Sequence, residues 1–223
     1  MKSVKEGVPF VEGINKCLDL IKGQLVEYLL TIPTVIPKNP GIEQTLSREI
    51  VNVPSGNIKF LVFNYTRIIE QYLSHIGVKS NQVIYIHGSL DDEKNPIIFG
   101  YGDVMNPYYS KIEDLNENEY LKNIKSFSYL KATNKTQLKE FIERGEYSVS
   151  IMGHSCGLSD RVLLNSIFCH KNCKGIRIYY HQKGPNETDY FEKTMEISRH
   201  CKPEDKDRIN NLIVSAALSY PLS

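Results

Sequence analysis

Residues 148–160, SVSIMGHSCGLSD, decide how the fold is read. Ser148 to Met152 is an apolar segment that runs directly into Gly153-His154-Ser155-Cys156-Gly157. Leu158, Val162, Leu163 and Ile167 then recur at helical spacing. Strand, tight glycine turn and helix form the unit with which α/β proteins present polar groups at the end of a buried sheet.

Other stretches repeat the theme. IKFLVF at 58–63 is apolar on both faces apart from Lys59, as a strand inside a parallel sheet requires. It ends at Asn64-Tyr65-Thr66, and Thr66 is placed to cap a helix carrying Ile68, Ile69, Tyr72, Leu73 and Ile76 up to Gly77. VIYI at 83–86 follows, so 58–86 reads as one βαβ unit, ending at His87-Gly88. A short strand is expected from Pro96 to Phe99, before Gly100-Tyr101-Gly102-Asp103, and a further one at 176–180, IRIYY, before His181. A helix is expected from about Glu187 to Arg199.

Ahead of this, Val8 to Leu29 carries a helical apolar stripe, with Pro9 suited to a first turn. Pro33, Pro37 and Pro40 end that helix, and a second is expected over Glu43 to Val51. Residues 104–147 are polar and broken, with helices near 117–130 and 135–144, and read as an insertion or lid over the sheet's edge. The expected architecture is therefore α/β: a Rossmann-like open parallel sheet flanked by helices over 58–223, with the insertion at about 104–147 and an N-terminal helical region at 1–57.

Composition narrows the function classes. Lys+Arg number 27 against Asp+Glu 26, a formal net charge of +1, and no basic run supplies a nucleic-acid surface. No apolar stretch approaches the roughly 20 residues needed to cross a bilayer. The first residues, MKSVKEGVPF, lack a signal-peptide core, so the expectation is a cytoplasmic chain with neither membrane nor nucleic acid as partner. Five unevenly placed cysteines fit a reducing compartment. Cys169-His170-x-x-Cys173 has no second ligand pair at a familiar distance, so it reads as a helix end and no metal is expected.

Asn64, His87, the 100–103 turn, His154, Ser155 and His181 all fall just past the C-terminal ends of expected strands. In an open parallel sheet those ends share one edge, where ligands bind. One use of that edge is hydrolysis: Gly153-His154-Ser155-Cys156-Gly157 matches the G-x-S-x-G elbow. The required acid and histidine do not follow in order, since His181 precedes Asp189, and Asp189 and His200 sit at two ends of one helical segment.

Phe63-Asn64-Tyr65-Thr66, Ile86-His87-Gly88, Gly100-Tyr101-Gly102-Asp103 and Gly153-His154-Ser155-x-Gly157-x-Ser159-Asp160, in that order, resemble the AbiH family of phage abortive-infection proteins. That family is similar, more distantly, to sirtuin-like NAD-binding domains. The resemblance implies a nucleotide ligand, NAD or a relative, whose nicotinamide–ribose bond is hydrolysed. Asn64 then orients ribose or water and His87 acts as general base, while Tyr65, Thr66, Gly88, Gly100, Gly102, Asp103, Gly153, His154, Ser155 and Asp160 hold the nucleotide. A histidine titrating near neutrality suits the first task, and an asparagine, donor and acceptor at once, suits the second.

One family feature is missing. A Gly-Asn-Gly turn after a first strand is expected there, whereas residues 1–57 hold only isolated Gly7, Gly13, Gly23, Gly41 and Gly56. The chain reads as an AbiH protein without its first βα unit, which would leave the Asn64 strand short of one neighbour and prone to self-association along that edge. Two alternatives stay open beside NAD hydrolysis: a module that senses a nucleotide or a phage protein without turnover, and the serine hydrolase.

Overall fold

The computed structural model describes residues 2–33, 35, 39–100, 104–106 and 108–222, of which 2–6 are described as backbone only. Helix α1 spans Lys2–Leu30. Pro9 lies inside it rather than in its first turn; one proline removes a single backbone bond, and the apolar stripe on either side keeps the helix continuous. α2, Pro40–Ile50, starts three residues before the expected Glu43, because the Asn39 side chain accepts from the Gly41 N–H and Pro40 occupies the first turn.

Strands β1 (Phe60–Val62) and β2 (Val83–Tyr85) pair in parallel, Leu61 opposite Ile84. The helix between them, α3, is only Glu70–His75, so Thr66 is not its cap. Residues 64–69 bend instead: the Leu90 N–H bonds the Tyr65 carbonyl, and Arg67 Nε reaches Asp91 Oδ1 at 3.0 Å. Pro96 to Phe99 is not a strand. That segment is held by single bonds, Ile98 N–H to the His87 carbonyl at 2.7 Å and Tyr65 hydroxyl to the Ile98 carbonyl at 3.0 Å.

The insertion carries α4 (Tyr109–Glu113), α5 (Lys125–Ser128) and α6 (Asn134–Glu143). It is fastened at both ends. Asn15 of α1 donates to the Glu119 carbonyl and accepts from Asn123, and Asn134 donates to the Tyr85 carbonyl. Then β3 (Tyr147–Met152), α7 (Arg161–Phe168) and β4 (Cys173–Tyr180) form a second parallel unit. The chain continues into an antiparallel hairpin of β5 (Gln182–Gly184) and β6 (Glu187–Thr188), so the expected helix begins only at α8, Tyr190–His200. After α9 (Lys206–Leu212), β7 (Tyr220–Pro221) joins the free side of β4 in parallel.

The protein is thus mixed α/β, with small parallel sheets flanked by helices. The single open sheet expected from the sequence is divided: among the described residues β1 pairs with β2 alone, and the other parallel ladder is β3–β4–β7. Among the described residues no strand lies between β1 and β3 to carry ladder bonds from one group to the other. Side chains close that junction. One core unites Ile84 and Ile86 with Ile151, Ile176 and Ile178. A smaller one joins Phe60, Tyr72 and Leu73 to Leu46 of α2 and Met152 of β3. Glu49 of α2 accepts from the hydroxyls of Ser150 on β3 and Tyr179 on β4.

Candidate functional site

The ends of β1, β2 and β3 meet. The Phe63 ring sits 4.0 Å from that of His154 and 5.2 Å, edge-on, from that of His87. These three residues follow their strands by one or two positions; the parallel pairing of β1 with β2 aligns the first two, and core packing of β3 against them brings His154 to the same end. The turns after them are shaped by glycine. Gly88 has a φ of +85°, and a Cβ there would lie 2.3 Å from the Pro96 carbonyl oxygen, so only glycine lets 87–89 pass under 95–98.

At the centre is Asp160, 7 % exposed, at the start of α7. Its Oδ1 receives His87 Nε2 at 2.9 Å and Lys125 Nζ at 3.0 Å; its Oδ2 receives Ser159 Oγ at 3.2 Å and faces His154 Nε2 at 3.8 Å. The Tyr129 hydroxyl lies 3.1 Å from the same His87 nitrogen. His87 and Lys125 are themselves only 6 % and 9 % exposed. Burial alone would raise the Asp160 carboxyl, but the hydrogen bonds and charges of His87 and Lys125 outweigh it and hold the group below the usual carboxylate range. The carboxylate is therefore permanent near neutrality, and it dictates the protons around it.

Two tautomers follow. Facing a carboxylate, His87 Nε2 carries its proton, which in the neutral ring leaves Nδ1 as the basic nitrogen, with no hydrogen-bond partner among the described residues. His154 Nδ1 accepts from the Cys156 N–H at 3.0 Å, so its proton sits on Nε2, toward Asp160. Burial pushes the His154 imidazole below its ordinary value, against the pull of Asp160. Burial, then the Asp160 charge, raise the hydroxyls of Tyr129 and Tyr65, which stay protonated.

Of the residues expected at the site, the structure brings His87, His154 and Asp160 into direct contact, with Tyr65 stacked obliquely 6.4 Å from His87. Asn64 and Ser155 are exposed residues of the adjoining turns, Gly153 is exposed with a φ of +70°, and Thr66 is half-buried in the bend after β1. Gly88 serves chain packing, as above. Gly100 does the same: a Cβ there would stand 2.4 Å from the Asn123 carbonyl oxygen. Gly102 and Asp103 lie outside the described residues.

Sequence reasoning missed Lys125 and Tyr129. Both come from the insertion, 35 and 42 residues in sequence from the groups they touch. That segment therefore supplies part of the site's wall and charge as well as its cover. Two surface hollows, of about 610 Å³ along α4 and α5 and about 140 Å³ between α1 and 96–99, contain none of the expected site residues.

The hydrolase elbow does not form. Such an elbow strains the nucleophile itself, but here the left-handed residue is Cys156, φ +56°, with Ser155 beside it. Among the described residues Ser155 has no histidine partner. The Cys156 thiol is buried and pushed up to about 12 by that burial, so it is inert as a nucleophile. His200 Nε2 bonds the Cys156 carbonyl at 2.7 Å and fixes the turn from beneath. Nor do Cys169, His170 and Cys173 form a ligand cluster: Cys169 caps the end of α7, and no group of three or more metal-binding side chains occurs among the described residues.

No helix among the described residues is long and apolar enough to cross a membrane. Compared with known proteins, the chain matches the family model described as "Bacteriophage abortive infection AbiH" over residues 18–182, well over half its length. No curated protein and no solved structure matches significantly.

Proposed function

This chain belongs to the AbiH family of bacteriophage abortive-infection proteins, and from that premise we propose that the junction of its strand ends binds NAD or a related nucleotide and cleaves the nicotinamide–ribose bond. The observation carrying this reading is the polarised His87: one nitrogen tied to a buried carboxylate, the other unpartnered at the strand end. In the proposed step, water attacks the anomeric carbon and nicotinamide departs with the bonding electron pair. His87 Nδ1 takes the water's proton, and Asp160 stabilises the imidazolium that results. Asn64, in the turn after β1, orients the ribose or the water. Lys125 balances the charge of Asp160. The similarity to sirtuin-like NAD-binding domains is part of this proposal.

The test is nicotinamide release by the purified chain from NAD, beside calorimetric titration with ADP-ribose. His87→Ala should abolish release by at least about 100-fold, the usual contribution of a general base, while ADP-ribose still binds. Release unchanged in His87→Ala, or neither binding nor release at millimolar nucleotide, would reject the assignment. Binding without release identifies the second reading, a nucleotide sensor. The lack of a glycine-rich phosphate turn in residues 1–57 is the observation behind this second reading.

A further inference from the structure

α1 has three faces, and one of them is unaccounted for. Val8, Val11, Asn15, Leu18, Lys22, Leu25 and Leu29 make the packed face, joined to the insertion through Asn15 and through Gly7 against Tyr120. Glu12, Lys16, Asp19 and Glu27 make a charged face. On the third, Phe10, Ile14, Cys17, Ile21, Gln24 and Tyr28 are all exposed, at intervals of four, three, four, three and four. Leu20 lies alongside them. Phe10 is 72 %, Leu20 69 % and Tyr28 64 % exposed. No charged residue interrupts this stripe over residues 10–28.

Alternating three- and four-residue spacing of uncharged side chains is the seam of a two-helix coiled coil. We infer that α1 pairs antiparallel with α1 of a second copy of this chain, about a two-fold axis between Cys17 and Ile21. The seam is complementary to itself in that arrangement. Phe10 meets Tyr28 of the second copy, small Cys17 meets Ile21 of the second copy, and the two Leu20 side chains meet near the axis. The helix dipoles oppose each other, which favours this direction. With aromatic side chains offering up to about 150–250 Å² each, the seam buries about 600 Å² per copy, or about 1,200 Å² in all, at the lower bound for a specific interface. The dimer is accordingly a modest one that depends on concentration. It is formed by a helix and not by the open edge of β1, and it does not rest on the nucleotide reading.

Light scattering on the full chain in reducing buffer, across a dilution series, tests this. The wild type should pass from twice the chain mass toward the single-chain mass on dilution. Ile14→Glu with Ile21→Glu should raise the dissociation constant at least about 100-fold, whereas Lys16→Glu on the charged face should leave it within about threefold. Native Cys17, offset along the helix from its counterpart, should give no disulfide-linked dimer on mild oxidation, since bridged Cα atoms lie within about 7 Å. If the double glutamate variant loses helical signal, Phe10→Lys with Tyr28→Lys reads the same seam from its ends. A single-chain mass for the wild type at every concentration, a dimer indifferent to both double variants, or efficient native Cys17 cross-linking would overturn the proposal.

Discussion

Replacing Asp160 with asparagine should be among the most damaging isosteric changes this protein can suffer. The carboxylate takes His87 Nε2 at 2.9 Å and Lys125 Nζ at 3.0 Å on one oxygen, and all three side chains are almost wholly buried. Asparagine keeps the shape and one good acceptor but removes the charge, stranding the Lys125 ammonium. Removing one partner of a buried pair costs about 3–5 kcal/mol, because the other is left desolvated and uncompensated. For a chain of this size about 2–4 °C accompanies each kcal/mol, so the melting temperature should fall by about 6–20 °C. Lys125→Met alone removes one charge-assisted bond and leaves Asp160 with His87, costing about 1.5–3 kcal/mol. The double variant contains no stranded ammonium, so its cost should be smaller than the sum of the singles by at least about 2 kcal/mol. Urea unfolding of the four proteins closes the cycle. A shift below about 2 °C for Asp160→Asn, or strict additivity, would refute the view that this triad is internally charge-balanced.

Other outcomes follow from the same geometry. Gly88→Ala should fail to yield soluble protein or lose at least about 3 kcal/mol by denaturant titration, since its Cβ would enter the Pro96 carbonyl and its φ is +85°. Acid should destabilise the fold in two stages. Burial sets the folded pKa of His154 and His200 below the ordinary 6.5, so the unfolded chain binds protons first. Stability contributed by the neutral rings is complete above about pH 6.5 and lost as pH falls toward their folded values. The depressed Asp160 adds a second loss below about pH 4. Melting temperatures from pH 8 to 4 should show the first decline, and His200→Gln should flatten it. Ser155→Ala should change stability by less than about 0.5 kcal/mol, the exposed-surface range, and a fluorophosphonate probe should not label the wild type.

The strand ends were legible because period and polarity change sharply there: VIYI gives way to His87-Gly88, and SVSIM to Gly153-His154. Those transitions placed His87 and His154 on one edge before any contact was known. The helices were less readable where tertiary bonds override local preference. Thr66 looks like a cap, but Arg67 is drawn to Asp91 and the helix waits until Glu70. Pro96 to Phe99 has strand-like composition, yet proline lacks the donor a ladder needs and His87 offers it only one bond. Glu187 falls in a hairpin whose return bonds to Gln182 have no local signature. Lys125 and Tyr129 were beyond reach for a different reason. They sit in a polar segment without periodicity, and their value arises only when that segment is laid over Asp160.

The divided sheet has a mechanical consequence. A hydrogen-bonded ladder resists sliding, because its bonds must break together; side chains packed across a junction can slip by small steps at little cost. The β1–β2 pair and the β3–β4–β7 group touch through Phe63 and His154 at one end and through the shared side-chain cores, with no ladder bond between the two groups among the described residues. The seam between the halves therefore acts as a shear plane, and it ends at His87. On the nucleotide reading proposed above, a ligand reaching His87 would part the halves at the Phe63–His154 contact instead of lifting a loop. Amide exchange should register the halves as separately opening units, with Phe63→Ala loosening their junction before either core.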